Sequence, residues 1–159
     1  MSIFTRFLAM FKSKPDPAPK DGESFADWFH RQGFRNFNAE ELSRLHRRVK
    51  HGAKNTHPPR SKWGNIIPTL RIVDDLRDVI GPILITSAYR SKAYNDACGS
   101  NDASQHRQFT ALDIIPLEAT VHEAYKVLEA WRDNGKWVGG LGKYPNFVHI
   151  DTRPRNATW

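Results

Sequence analysis

The sequence predicts one compact α+β domain, and three observations predict it. Apolar residues recur at helical spacing in some segments and form short buried-looking runs in others. These segments fall in the order helices, strand, strand, helix, strand, strand, with no internal repeat. A chain of 159 residues has room for one hydrophobic core and too little for two ordinary domains.

Residues 1–23 read as an N-terminal segment with a Pro-rich linker, and residues 24–159 as the domain. The opening MSIFTRFLAMFKSK lacks a small-residue cleavage site, and Arg6 interrupts its apolar core, so synthesis in the cytoplasm without a clear signal peptide is expected. Ile3, Phe4, Phe7, Leu8, Met10 and Phe11 can form one side of a short interfacial helix, which gives weak membrane contact through residues 1–12 as an expectation. SKPDPAPKDG, at 13–22, carries three prolines and alternating charge and suits an extended linker. No run of eighteen apolar residues is present.

Phe25, Trp28, Phe29, Phe34 and Phe37 form an aromatic-rich stretch that reads as core. Asn38 is an N-cap, with Glu40 and Glu41 in the first turn and Leu42, Leu45 and Val49 at helical spacing. Ile66, Leu70, Val73, Leu76 and Ile80 predict a second helix over 66–80, ended by Gly81-Pro82. Strands are predicted at 83–86 and 111–115, a third helix after Thr120, and final strands at 137–141 and 147–152.

The chain carries 24 Lys and Arg against 17 Asp and Glu, and a net charge of +7 favours a polyanionic partner. Arg44, Arg47, Arg48 and Lys50 read as a solvated helix face; the cations are scattered and no nucleic-acid motif appears, so no nucleic-acid partner is expected. A single cysteine, Cys98, excludes an internal disulfide and a thiolate-rich metal site. Any zinc site must therefore use His and carboxylate ligands.

Three residues suit such a site. Alternation in the last strand puts Phe147, His149 and Asp151 on one face and Val148, Ile150 and Thr152 on the other. Asp113 interrupts the apolar run Ala111-Leu112-Asp113-Ile114-Ile115, and a buried carboxylate needs a cationic partner. His106 lies seven residues earlier, in a polar stretch. Two imidazoles and one carboxylate make a catalytic zinc set with an open fourth position. Taken singly, each residue also fits a structural role. His46 and His51 do not stack on one helical face, and His30, His57 and His122 show no partner pattern.

The segment Ser104-Gln105-His106-Arg107-Gln108-Phe109-Thr110-Ala111-Leu112-Asp113 resembles the Ser-x-His-x-x-Gly-x-Ala-x-Asp signature of the zinc D-alanyl-D-alanine peptidases. Phe147 to Asp151 resembles the same family's second signature, and Ile85 to Ser91 its strand ending in Tyr-Arg-Ser. Gly139 to Tyr144 and Asp151 to Trp159 are similar to a bacteriophage branch, and the likeness is strongest over 65–159. The resemblance implies a small antiparallel sheet carrying the zinc site, flanked by helices, as in the hedgehog-type fold. It implies His106, Asp113 and His149 as zinc ligands, Arg90 as the catalytic group that stabilises the oxyanion or grips the substrate, and Ser104 and Tyr89 as substrate contacts. The implied activity is hydrolysis of peptidoglycan stem peptides by a monomer acting on the bacterial wall, as carboxypeptidase or endolysin-type endopeptidase. The alternative is an inactive, zinc-containing cell-wall binding module.

Two positions depart from the pattern. Phe109 stands at the signature glycine and is expected to reshape the loop. Asn146 stands where many relatives carry an acidic base, which leaves Asp151 as the expected general base, with orientation of a ligand as its other role.

Overall fold

The computed structural model describes residues 16–159; the expected interfacial helix and membrane contact of residues 1–12 lie outside them. Asp16 to Ala18 pack against the domain. Trp28 donates its indole N–H to the Pro17 carbonyl at 2.9 Å, and Arg31 donates to the carbonyls of Asp16 and Ala18.

Helix α1 (Phe25–Arg31) starts at Ser24, whose hydroxyl accepts the Asp27 N–H, and it buries Phe25, Trp28 and Phe29. Helix α2 (Ala39–Ser43) starts with a capping box between Asn38 and Glu41. The predicted continuation to Val49 does not occur. The chain tightens into a 3₁₀ turn at Arg44–Arg47 and then forms a hairpin of β1 (Val49–Lys50) and β2 (Ala53–Lys54). His51 and Gly52, both at positive φ, make its two-residue turn. Val49 is consequently 58% exposed.

A 3₁₀ segment (Arg60–Ile66) leads into α3 (Ile67–Ile80), which buries Leu70, Val73 and Leu76. Strand β3 (Ile83–Ser87) follows, then two short helices that the sequence reading missed, α4 (Lys92–Ala97) and α5 (Gln105–Gln108). Strand β4 (Ala111–Pro116), helix α6 (Val121–Asp133) and strands β5 (Gly140–Lys143), β6 (Val148–Asp151) and β7 (Ala157–Thr158) complete the order.

The five-stranded sheet runs β3-β4-β6-β5-β7, antiparallel except for the β5–β7 pair. Ile85, Leu112, Ile114, Leu141, Val148 and Ile150 join Leu70, Val73 and Leu76 of α3 and Leu128 of α6 in one core. The sheet thus has one face covered by helices and a polar set on the other, as the α+β expectation requires.

Candidate metal centre

Register brings the predicted ligands together. Asp113 on β4 sits directly opposite His149 on β6, and Ala111 sits opposite Asp151. Alternation in β6 sends Val148 and Ile150 into the core and leaves His149 on the polar face. His106 comes from α5, where its Nδ1 lies 2.7 Å from the Ala88 carbonyl. Potential ligand atoms of His106, Asp113 and His149 all lie within 4.8 Å of one another, and all three residues are buried.

The contacts within this cluster fit a cation. A carbonyl only accepts, so His106 carries its proton on Nδ1 and turns the Nε2 lone pair inward. That lone pair faces Asp113 Oδ2 at 3.2 Å, an acceptor against an acceptor. His149 is arranged in the same way: Nε2 meets Asp151 Oδ2 at 2.9 Å, and Nδ1 faces Asp113 Oδ1 at 2.8 Å. Ligands at roughly 2.0 Å in a tetrahedron stand about 3.3 Å apart, close to the 3.2 Å spacing and wider than the 2.8 Å one. The donor set is the nitrogen-and-oxygen kind that zinc accepts.

Electrostatics agree. Burial pushes the Asp113 carboxyl up, yet positive charge facing it, whether on an imidazole or on a cation held in the cluster, pulls it well below the ordinary carboxylate range. Burial lowers His106 and keeps it neutral. Burial also opposes a charged His149, but without a metal the Asp113 and Asp151 carboxylates outweigh it and raise its pKa, so a proton on Nδ1 takes the place that a cation would hold.

Asp151 is fully buried, and its carboxylate is enclosed by partners. It accepts from His149, from the Gly140 and Arg153 backbone N–H groups, and from the Arg153 guanidinium at 2.6 and 2.8 Å. Burial opposes its charge, but these bonds hold its pKa well below the usual range. Two β5 glycines make the arrangement possible. A Cβ on Gly140 would fall 2.5 Å from the Asp151 carboxylate, and one on Gly142 would fall 2.6 Å from the Trp159 indole.

Arg90 donates to Asp113 Oδ2 at 2.9 Å and to the hydroxyls of Ser87 and Ser100, and it keeps a 14% exposed side chain at the rim. A groove of about 570 Å³ opens over the cluster, with Arg90, Ser104, Phe147 and Trp159 in its walls. Tyr89, expected as a substrate contact, does not line this groove: its ring is buried edge-on against Phe109 and His46. Asn146 is exposed and outside the groove wall. A larger hollow of about 840 Å³ lies elsewhere, between α3 and the segment before β5, and among the described residues it gathers no metal-ligating cluster.

Phe109 ends α5 at the position of the signature glycine. At φ 60° and ψ 40° it takes the left-handed conformation that glycine adopts without cost, and its ring is fully buried. Trp159 was not singled out from sequence. Strand β7 carries it over β5, where its ring sits 5.2 Å from that of His149 and its indole N–H donates to Tyr144 Oη.

No curated protein matches the chain at a significant level. Residues 35–151 match the family described as Peptidase M15, beginning well before the stretch where the resemblance is strongest and taking in α2 and the hairpin. With about three-quarters of its length matched and a His-Asp-His cluster able to hold a metal, the chain belongs to the peptidase M15 family of zinc-dependent metallopeptidases.

Proposed function

We propose that the protein hydrolyses a peptide bond in the stem peptides of peptidoglycan, using zinc held by His106, Asp113 and His149. The observation that carries this reading is the convergence of three inward-facing ligand atoms beneath an open groove in a peptidase M15 chain. Zinc, when bound there, supplies a water of near-neutral pKa and polarises the scissile carbonyl.

The surrounding residues have separable tasks. Arg90 is fixed by Ser87, Ser100 and Asp113, so its remaining N–H groups are pre-aimed at a developing oxyanion. Ser104 lines the groove and makes no capping bond to α5, which leaves its hydroxyl for substrate. Asp151 orients His149 and fixes its tautomer. Its enclosure by His149, Arg153 and Gly140 favours this role over the general base expected from sequence. The net charge of +7 supports attraction to an anionic wall, with the monomer made in the cytoplasm and acting outside it.

One observation favours a second reading. Among the described residues, the groove wall offers no carboxylate besides Asp113, so no acidic side chain would be placed to take a proton from a water held by the metal. A zinc-containing wall-binding module would have this arrangement. Digestion of purified peptidoglycan, with fragments identified by mass, separates the two. New stem-peptide fragments that disappear with His149→Ala establish the peptidase; wall binding without fragments establishes the module.

A further inference from the structure

We propose that the hollow between α3 and the segment before β5 is an apolar docking groove for this chain's own N-terminal residues 3–11. The inference is independent of the peptidase reading, because this groove shares no wall residue with the one over the metal cluster.

The groove holds about 840 Å³, within the roughly 300–1,000 Å³ of pockets that bury a compact ligand. Its apolar wall is Pro17, Ile67, Pro68, Ile72, Trp137 and Val138, and Val138 is 51% exposed. The charged residues beside them are occupied within the domain. Arg71 donates to the Gln32 carbonyl and lies over the Phe34 ring, and Asp75 pairs with Arg35 and Lys136. An apolar surface whose charges are already paired takes an apolar occupant. Gln32, in the same wall, is 1% exposed, and its Oε1 has no partner among the described residues. The occupant therefore also has to bring a donor, such as a backbone N–H.

The place where the described chain begins points to that occupant. Asp16 and Pro17 are fixed at the edge of the groove. Pro17 packs against Gly64, and its carbonyl accepts the Trp28 indole N–H at 2.9 Å. The Asp16 carbonyl accepts from Arg31 at 2.7 Å and from Gln32 Nε2 at 3.3 Å. Ahead of this anchor, Ile3, Phe4, Phe7, Leu8 and Phe11 recur at the spacing that lines one side of a helix. Five residue steps separate Phe11 from Asp16, at most about 18 Å of extended chain. A tether that short holds the apolar run at roughly millimolar effective concentration, so even a weak site on the same molecule fills. A separate partner has to compete with that concentration.

The test is NMR of the full chain, isotopically labelled, with a nitroxide on Ser2→Cys in a Cys98→Ser background. Ser2 lies beyond the apolar run, so docking of the run brings the nitroxide to the groove. The Ile72 and Val138 amide signals and the Trp137 indole signal should lose most of their intensity. Adding Phe4→Ser and Phe7→Ser should restore them and leave the rest of the spectrum unchanged. Sharp groove signals before those substitutions overturn the docking, whether the segment then binds anionic vesicles or nothing. Broadening that survives both Phe substitutions reports the tether alone and overturns it too. A last sample mixes isotopically labelled protein without nitroxide and unlabelled protein carrying it. Broadening there assigns the groove to a second copy and overturns docking within one chain.

Discussion

Two pairs of histidines lie edge to face among the described residues, and only one is arranged to hold a metal. The rings of His106 and His149 are 5.1 Å apart at 76°, and those of His46 and His57 are 4.7 Å apart at 72°. The first pair has Asp113 between its inward nitrogens and a fixed acceptor, Ala88 or Asp151, on each outward one. The second pair has no carboxylate. His46 is buried among Phe25, Tyr89 and Phe109, its Nε2 has no partner, and its Nδ1 meets His57 Nδ1 at 3.1 Å. Proximity of imidazoles does not make a site; a central carboxylate and outer acceptors that set both tautomers do.

Substitutions should break the comparison most sharply at the pairs themselves. His106→Ala or Asp113→Ala should abolish stoichiometric zinc, read by elemental analysis of the purified protein, while His46→Leu should keep it. Next in size, Asp151→Asn should weaken zinc about 10–100-fold, measured by competition with a chromophoric chelator. Retention of full zinc affinity with loss of turnover would instead return Asp151 to the role of base.

A third effect concerns pH. Burial, reinforced by His57 and Arg47, pushes His46 down from 6.5 to about 3. Below pH 6.5 the unfolded chain takes up a proton that the folded chain refuses, so this contribution is complete above 6.5 and lost as pH falls toward 3. Chemical denaturation across that range should show His46→Leu losing less stability than wild type, by on the order of a few kcal/mol. The smallest effect tests Phe109. Phe109→Gly relieves a left-handed backbone worth about 1–2 kcal/mol but removes a buried ring worth about 3–5 kcal/mol, for a net loss of about 2 kcal/mol. Zinc binding should survive it.

The cluster that could hold a metal was legible in sequence because its residues violate local patterns. Asp113 breaks an apolar strand, and alternation in β6 sets His149 apart from Val148 and Ile150. What surrounds them was less legible because it depends on side chains that are missing. Asp151 is enclosed because Gly140 has no Cβ, and Trp159 reaches His149 because Gly142 has none. The helical spacing of Leu42, Leu45 and Val49 carried no sign that the chain would turn at His51-Gly52, so the cations near β3 read as one helix face. Tyr89 sits beside Arg90 in sequence, yet its ring points into the core.

The most direct measurement is the zinc stoichiometry of the purified protein beside that of His149→Ala, after both are dialysed against a weak chelator. One tightly held zinc per wild-type chain, and none in the variant, is the result this account requires. A wild-type protein that holds no zinc, or a variant that holds as much, would contradict it.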